Sequence, residues 1–338
     1  MALLFTDSFD HYIDLGQKYT EVPIGCGSIV ATPGLARTGP QCYEGGPIGP
    51  AVSFTARDTW IAGAGAKYVT GVSAGNFIIF LAGGTTGNKC GSLRVNSDGS
   101  VFVQIGPDPA NLYYGPSAPG VVQSNNWNYL EVKIKFATSG GHITVNVNGF
   151  QVLHYTGINT DPFGYGSPNT VQLSGPGSGL SVAIDDYYIC DTSGGVNDDF
   201  LGPVRVYSGP PVSDSTPLQW ITSAGATHFN LVSSIPPNPA TYVTDATVGD
   251  VDQYIHSVSA VPVTSTIKAV QHVLNAQVDT VGVRKVSSVC ANGTGMAGMA
   301  LTTTYHMLWA PYDINPVSGN PWDISDFATV PFGPKVEV

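Results

Sequence analysis

The chain has 338 residues, of which 11% are charged, with 41 Gly, 25 Pro and 16 Tyr, a length that suits two domains and a composition that favours strands and tight turns over long surface helices. A net charge of -11 without any basic cluster excludes a sequence-independent grip on nucleic acid, which needs Lys and Arg to displace counterions from phosphates. No run is apolar enough to span a bilayer or to act as a secretory signal, so membrane insertion is not expected.

The first clear unit is a hairpin: Leu93, Val95, Val101, Val103 and Ile105 share one face across an Asp98-Gly99 turn. Next, Tyr129 to Phe136 alternates with its charges on one side, which points Leu130, Val132, Ile134 and Phe136 into a core. A second hairpin, Ile143 to Leu153, is closed by Asn148-Gly149. Between 190 and 203 the chain is small, polar and turn-prone, which sets the expected domains at 1–195 and 196–338. After it, Val204-Arg205-Val206-Tyr207 reads as a short strand. Between Ile267 and Val278, Val270, His272, Leu274, Ala276 and Val278 fit one face of a strand, while Ile267, Val270, Leu274 and Val278 also fit helical spacing. The fold class is therefore all-β, two sandwich or jelly-roll domains with very little helix.

These pieces come in an order that resembles a family of tailed-bacteriophage structural proteins whose first half is a laminin-G-like, concanavalin-type jelly roll. The residues that carry the resemblance are Leu4 to Tyr12, Leu93 to Gly99, Trp127 to Lys133, Val145 to Gly149, Ile184 to Ile189 and Asn197 to Val206. The close, Asp313 to Trp322, is similar to the end of the same proteins, and the chain departs from the family's pattern at Pro203, where Asp more often follows Gly202. The resemblance implies a non-enzymatic virion component, made in the bacterial host cytoplasm and located on the capsid, the tail or a fibre. Its implied partners are other virion proteins and copies of itself in a homo-oligomer such as a trimer. The competing reading is a lectin-like module that contacts host or environmental glycans, and a third is a glycoside hydrolase.

Hydrolysis by the usual route needs two carboxyl groups about 5 to 9.5 Å apart, and concanavalin-like hydrolases carry them on one strand as Glu-x-Asp-x-x-Glu. Here the glutamates are Glu21, Glu44, Glu131 and Glu337, none in that pattern, so no catalytic residue is assigned. Asp185-Asp186 is the most tempting acidic pair. Adjacent strand residues point to opposite faces, so only one is expected to line a surface. In a laminin-G-like domain the pair suggests calcium, with Asp7, Asp10 or Asn148 as further ligands; otherwise one Asp caps a turn and the other pairs with a backbone amide or an Arg. No other cofactor is expected.

The seven histidines are dispersed, without a metal-binding spacing. The five cysteines, Cys26, Cys42, Cys90, Cys190 and Cys290, read as free and mostly buried, with a Cys26–Cys42 bridge left open in an oxidising medium. Tyr113, Tyr114, Tyr165, Trp309 and Tyr312 lie in or near Gly/Pro-rich stretches, where a ring can stack on a sugar or anchor a protein neighbour. The second half, with Trp220, Trp309, Trp322 and the apolar close Val330-Pro331-Phe332, is expected to dock or oligomerise. The loops around Tyr113 and Tyr165 are then the free tip.

Overall fold

The structure is a computed structural model that describes residues 2–337 apart from 108, 176–181, 226, 281, 283, 292, 293 and 296. It divides into a larger unit, Ala2–Phe9 with Asp14–Val206, and a smaller one, Asp10–Ile13 with Tyr207–Val338. The segment 196–206, assigned from sequence to the second domain, thus clusters with the first unit. Nearly all regular structure is strand; one short helix, α1 (His228–Val232), and two single 3-10 turns are the exceptions among the described residues.

In the larger unit the alternating runs become two sheets around one core. One sheet runs β12 (Phe150–Ile158), β11 (Gly141–Val147), β10 (Trp127–Lys135), β5 (Thr59–Tyr68), β14 (Val182–Cys190), β3 (Cys42–Gly45) and β2 (Ser28–Val30), with β1 (Leu3–Asp7) also paired to β14. The other runs β4 (Ala51–Ser53), β13 (Thr170–Leu173), β6 (Gly75–Ala82), β7 (Asn88–Val95), β8 (Val101–Ile105) and β9 (Leu112–Tyr114).

The pleat decides which residues meet. On β10, Leu130, Val132 and Ile134 stand opposite Ala64, Ala62 and Trp60 of β5, and all six are buried. Burial of each large apolar side chain here contributes about 1.5–3 kcal/mol. Phe80 of β6 packs edge-on against Phe136 at 5.7 Å, which joins the sheets across the core. Both hairpins form as the sequence requires: Leu93 pairs with Val103, and Val95 with Val101, around Gly99 at φ 78°. The β11–β12 turn places Asn148 at φ 54° and Gly149 at φ 81°, the left-handed pair that suits the twist of two short-linked strands.

In the smaller unit one sheet runs β15 (Pro211–Leu218), β18 (Asp252–His256), β24 (Phe332–Glu337), β20 (Lys285–Cys290) and β21 (Thr294–Gly295), with β22 (Met299–Ala300) beside β20. Two-stranded pairs β16–β17 (Ile221–Thr222, Val243–Thr244) and β19–β23 (Val270–Ala276, His306–Tyr312) complete it. Within the Ile267–Val278 stretch Val270–Ala276 is strand, since β19 pairs with β23 from Val270 opposite Tyr312 to Ala276 opposite His306. Its core gathers Cys290, Ala310, Tyr312, Trp322, Val330 and Phe332.

One expected strand is absent. Val204 to Tyr207 has no ladder; two of its backbone groups bond to side chains of the larger unit instead: the Val206 N–H donates to Asp186 Oδ1 at 2.7 Å, and the Val204 carbonyl accepts from Arg37 at 2.6 Å. All five cysteines are free, Cys26 half-buried and the others buried, so no Cys26–Cys42 bridge is present. Among the described residues no helix is long and apolar enough to cross a membrane.

Candidate functional site

β10, β11 and β12 form one end of the large sheet, and alternate residues face away from the core. Antiparallel register sets these side chains in rows across three strands about 4.8 Å apart. Lys133, Thr144 and His154 make one row; Lys135, His142 and Thr156 flank it on one side, and Glu131, Asn146 and Gln151 on the other. Val152 is the extra residue of a bulge on β12, which lets Gln151 and His154 share this face although they are three apart.

The rows floor an open groove of about 640 Å³, whose lining is completed by Asp199 and Phe200. Thr144 Oγ1 lies 3.1 Å from His154 Nδ1, and Lys133 Nζ lies 3.2 Å from Asp199 Oδ1. Burial, reinforced by the charges of Lys133, Lys135 and His154, lowers the His142 imidazole below its usual range. The groove thus presents amides, imidazoles, hydroxyls and an ammonium side by side, with one half-buried aromatic ring.

Next to the groove the same face is covered by the strap 197–206. The Leu201 N–H donates to Tyr188 Oη at 3.2 Å and the Gly202 N–H to Glu131 Oε1 at 2.9 Å. Glycine on β5 makes room beneath it: a Cβ at Gly63 would stand 2.6 Å from the Tyr188 ring and 2.9 Å from Glu131, and one at Gly65 2.9 Å from Arg37. Glu131 is fully buried, accepts a 2.6 Å bond from Tyr188 Oη, and leaves Oε2 without a hydrogen-bond partner. Burial outweighs those donors and raises its carboxyl. Sequence reasoning set Glu131 aside for want of a hydrolase motif; the legible signal was a lone Glu on a strand whose other outward charges are Lys133 and Lys135.

Asp185 and Asp186 are both buried, and both turn to the same neighbour, against the expectation that they face opposite ways. The cause is a bulge in β14: register against β5 shifts between Asp185 and Tyr188, and Asp186 takes a left-handed φ of 54°. Asp185 Oδ2 then accepts the N–H groups of Arg37 and Thr38 at 2.8 and 2.9 Å. Asp186 Oδ2 accepts from the Arg37 guanidinium and from Thr38 Oγ1. Burial raises both carboxyls, Asp185 further through its like-charged neighbour. The pair is thus held by backbone amides, by the Arg37 guanidinium and by Thr38. Of the other calcium candidates, Asp7 is paired with Lys18 at 3.0 Å and Asn148 accepts the Tyr129 N–H at 2.8 Å. Among the described residues no group of three or more His, Cys, Asp or Glu is placed to hold a metal.

The aromatic candidates divide between the two units. Tyr113 on β9 is 56% exposed and meets Phe102 edge-on, while Tyr114 meets Tyr155 edge-on at 5.3 Å. Tyr165 stacks on Phe163 at 5.7 Å. Trp309 and Tyr312 belong to the other unit, on β23. Trp309 is half-buried there, and Tyr312, expected at a surface, is buried with its hydroxyl 3.0 Å from Ser288 Oγ, because β23 turns that ring into the core.

No protein-family model matches the chain, and no curated protein matches it significantly. Among solved structures it is similar to the alginate lyase Aly36B, at 15% identity and a TM-score of 0.29 over 42% of this chain and 73% of that one. It is also similar to the carbohydrate esterase vb_24B_21 of the Shiga toxin-encoding bacteriophage phi24B, at 13% identity and 0.35 over 55% and 99%. A third is the CBM40 of a Ruminococcus gnavus sialidase bound to sialyllactose, at 13% and 0.29 over 40% and 76%. Two of the three are enzymes, which corrects the expectation that this chain is not one: non-catalysis does not follow from a sandwich of this kind. The structures it resembles are carbohydrate-binding or carbohydrate-modifying jelly rolls, one of them from a phage.

Proposed function

We propose that the larger unit recognises carbohydrate through the outer face of β10, β11 and β12, and that it does so as a surface component of a bacteriophage particle. The observation that carries the first part is the set of polar rows beneath an open groove. Sugar hydroxyls both donate and accept, and the amides of Asn146 and Gln151, the imidazoles of His142 and His154 and the hydroxyls of Thr144 and Thr156 supply both roles. Phe200 offers an apolar ring against which the C–H face of a sugar can pack. The rows repeat across strands, so an extended chain of sugars would meet a similar set of groups at successive units. The phage setting is supported by the ordered sequence resemblance over residues 4 to 206.

A glycan array probed with the purified protein tests the binding. Retention is expected on a subset of glycans and should fall about tenfold or more in Asn146→Ala/Gln151→Ala, which removes two amides from the groove without touching the core. Absence of retention on every glycan would overturn the reading. The same glycans, incubated with protein and followed for new reducing ends, report turnover. Mass spectrometry of purified particles tests the setting; a protein found in lysates and absent from particles would refute it.

A further inference from the structure

We infer that the ligand of this groove is an anionic saccharide, whose acidic group takes the place of Asp199 on Lys133. This rests on the carbohydrate reading above and deepens it. The chain as a whole carries a net charge of -11, so its general field repels anions. The groove face is the local exception. Lys133 and Lys135 project on the same side of β10, with His142 and His154 in the rows beside them.

Among the described residues, two acids lie beside this set. Glu131, one row away, is sealed under the strap by Tyr188 and Gly202 and has its carboxyl raised by burial. Asp199 is on the strap itself, 68% exposed, while the Lys133 side chain it contacts is 18% exposed. An ion pair with one partner so open to water is weak. The ammonium, by contrast, is held at the groove floor by the strand and is the harder of the two to re-solvate. A ligand carboxylate or sulfate that arrives with several neighbouring hydroxyl contacts can replace the Asp199 side chain, whose other bond, from the Phe200 N–H to Oδ1 at 2.8 Å, is local to the exposed strap and open to exchange with water. Asp199 then acts as the stand-in that keeps Lys133 paired while the groove is empty.

His142 adds a pH signature. It faces Lys133 and Lys135 from β10, His154 from β12 and Asp199 from the strap, and burial, reinforced by the cationic neighbours, disfavours its imidazolium in the free protein. A bound anion favours the imidazolium, so binding takes up protons and affinity should rise as pH falls below neutrality, as long as the ligand's acid stays ionised.

The test compares polygalacturonate with its methyl ester, which keeps the backbone and removes the charge, beside a panel of sialylated, sulfated and neutral glycans. Retention is expected on anionic members, weaker as salt is raised, and tighter on sulfated or carboxylated ones according to which group the groove prefers. Lys133→Gln should lose about tenfold or more, whereas Asp199→Asn, which removes the competitor, should bind as well as the parent or better. Circular dichroism confirms that both variants fold, and the opposite directions of the two variants separate ligand contact from lost stability. Equal retention of neutral and anionic glycans, or loss of binding in Asp199→Asn, overturns the inference and leaves the carbohydrate reading standing. Failure to bind any glycan of either kind overturns both.

Discussion

Arg37 lies between two buried carboxylates and above an aromatic ring. Its guanidinium pairs with Asp186, stands 5.0 Å from the centroid of Tyr129 and donates to the Val204 carbonyl. Removal of one partner from a buried charge set leaves the others uncompensated, which costs about 3–5 kcal/mol. Arg37→Ala should therefore lower the stability of the larger unit by that order, read by urea unfolding, and Arg37→Lys should restore only part of it because an ammonium lacks the planar fork. A change under about 0.5 kcal/mol would show that the pair is neutralised by other means. Because the oxygens of Asp185 and Asp186 are already taken by Arg37, Thr38 and Val206, chelator should leave the melting temperature unchanged. A drop on chelation would restore the calcium reading.

At the scale of elements, β5 and β14 differ from the rest of their sheet in being buried on both faces. The pattern of β5, Thr-Trp-Ile-Ala-Gly-Ala-Gly-Ala-Lys-Tyr, shows why: Ala and Trp fill the inner face, and Gly63 and Gly65 leave the outer one free for Tyr188, Glu131 and Arg37. Gly63→Ala puts a methyl 2.6 Å from the Tyr188 ring, and should cost about 1–3 kcal/mol by overpacking even though Ala suits a strand better than Gly. A stabilised variant would mean that Tyr188 moves aside freely, and the strap with it. The glycines were legible as strand residues; what lies on them was not, since Tyr188 is 125 residues away and reaches Gly63 only through the bulge at Asp186.

Two consequences concern the molecule as a whole. Residues 197–206 hold Asp186, Glu131 and Tyr188 through backbone donors, so the larger unit is incomplete without them. A fragment that ends at 195 should melt below one that ends at 206. Equal melting temperatures would show that the strap adds nothing. The smaller unit should respond to acid by a separate route. His256 and His272 pack at 5.6 Å from each other and against Phe332. Burial pushes His256 down to about 4 and His272 well below its usual range, the latter helped by His256. The unfolded chain takes up protons from the ordinary imidazole value of 6.5 downward, whereas the folded unit does not. The stability these groups contribute is thus present above pH 6.5 and lost as pH falls through about 4, a loss of roughly 3 kcal/mol for His256 alone. Urea unfolding of the smaller unit at pH 7 and pH 4.5 measures it, and His256→Phe should flatten the difference; an equal loss in that variant would place the sensitivity elsewhere.

The sequence by itself determined the strands and turns of the larger unit. The alternation at Leu130, Val132 and Ile134 and the turns at Asp98-Gly99 and Asn148-Gly149 depend on the pleat and on left-handed backbone, both of which are properties of a few neighbouring residues. It also limited the chemistry, since four glutamates outside a hydrolase pattern and dispersed histidines leave little to assign from spacing. Only the tertiary structure decided where function is best sought. The groove joins Lys133, His142, Asn146, Gln151 and His154 with Asp199 and Phe200 from beyond β14, and no local period connects those positions. The same distance effect misdirected the reading of Tyr312 and of Val204 to Tyr207: whether a ring is buried, or an extended segment finds a ladder, depends on partners that register and bulges bring from far along the chain.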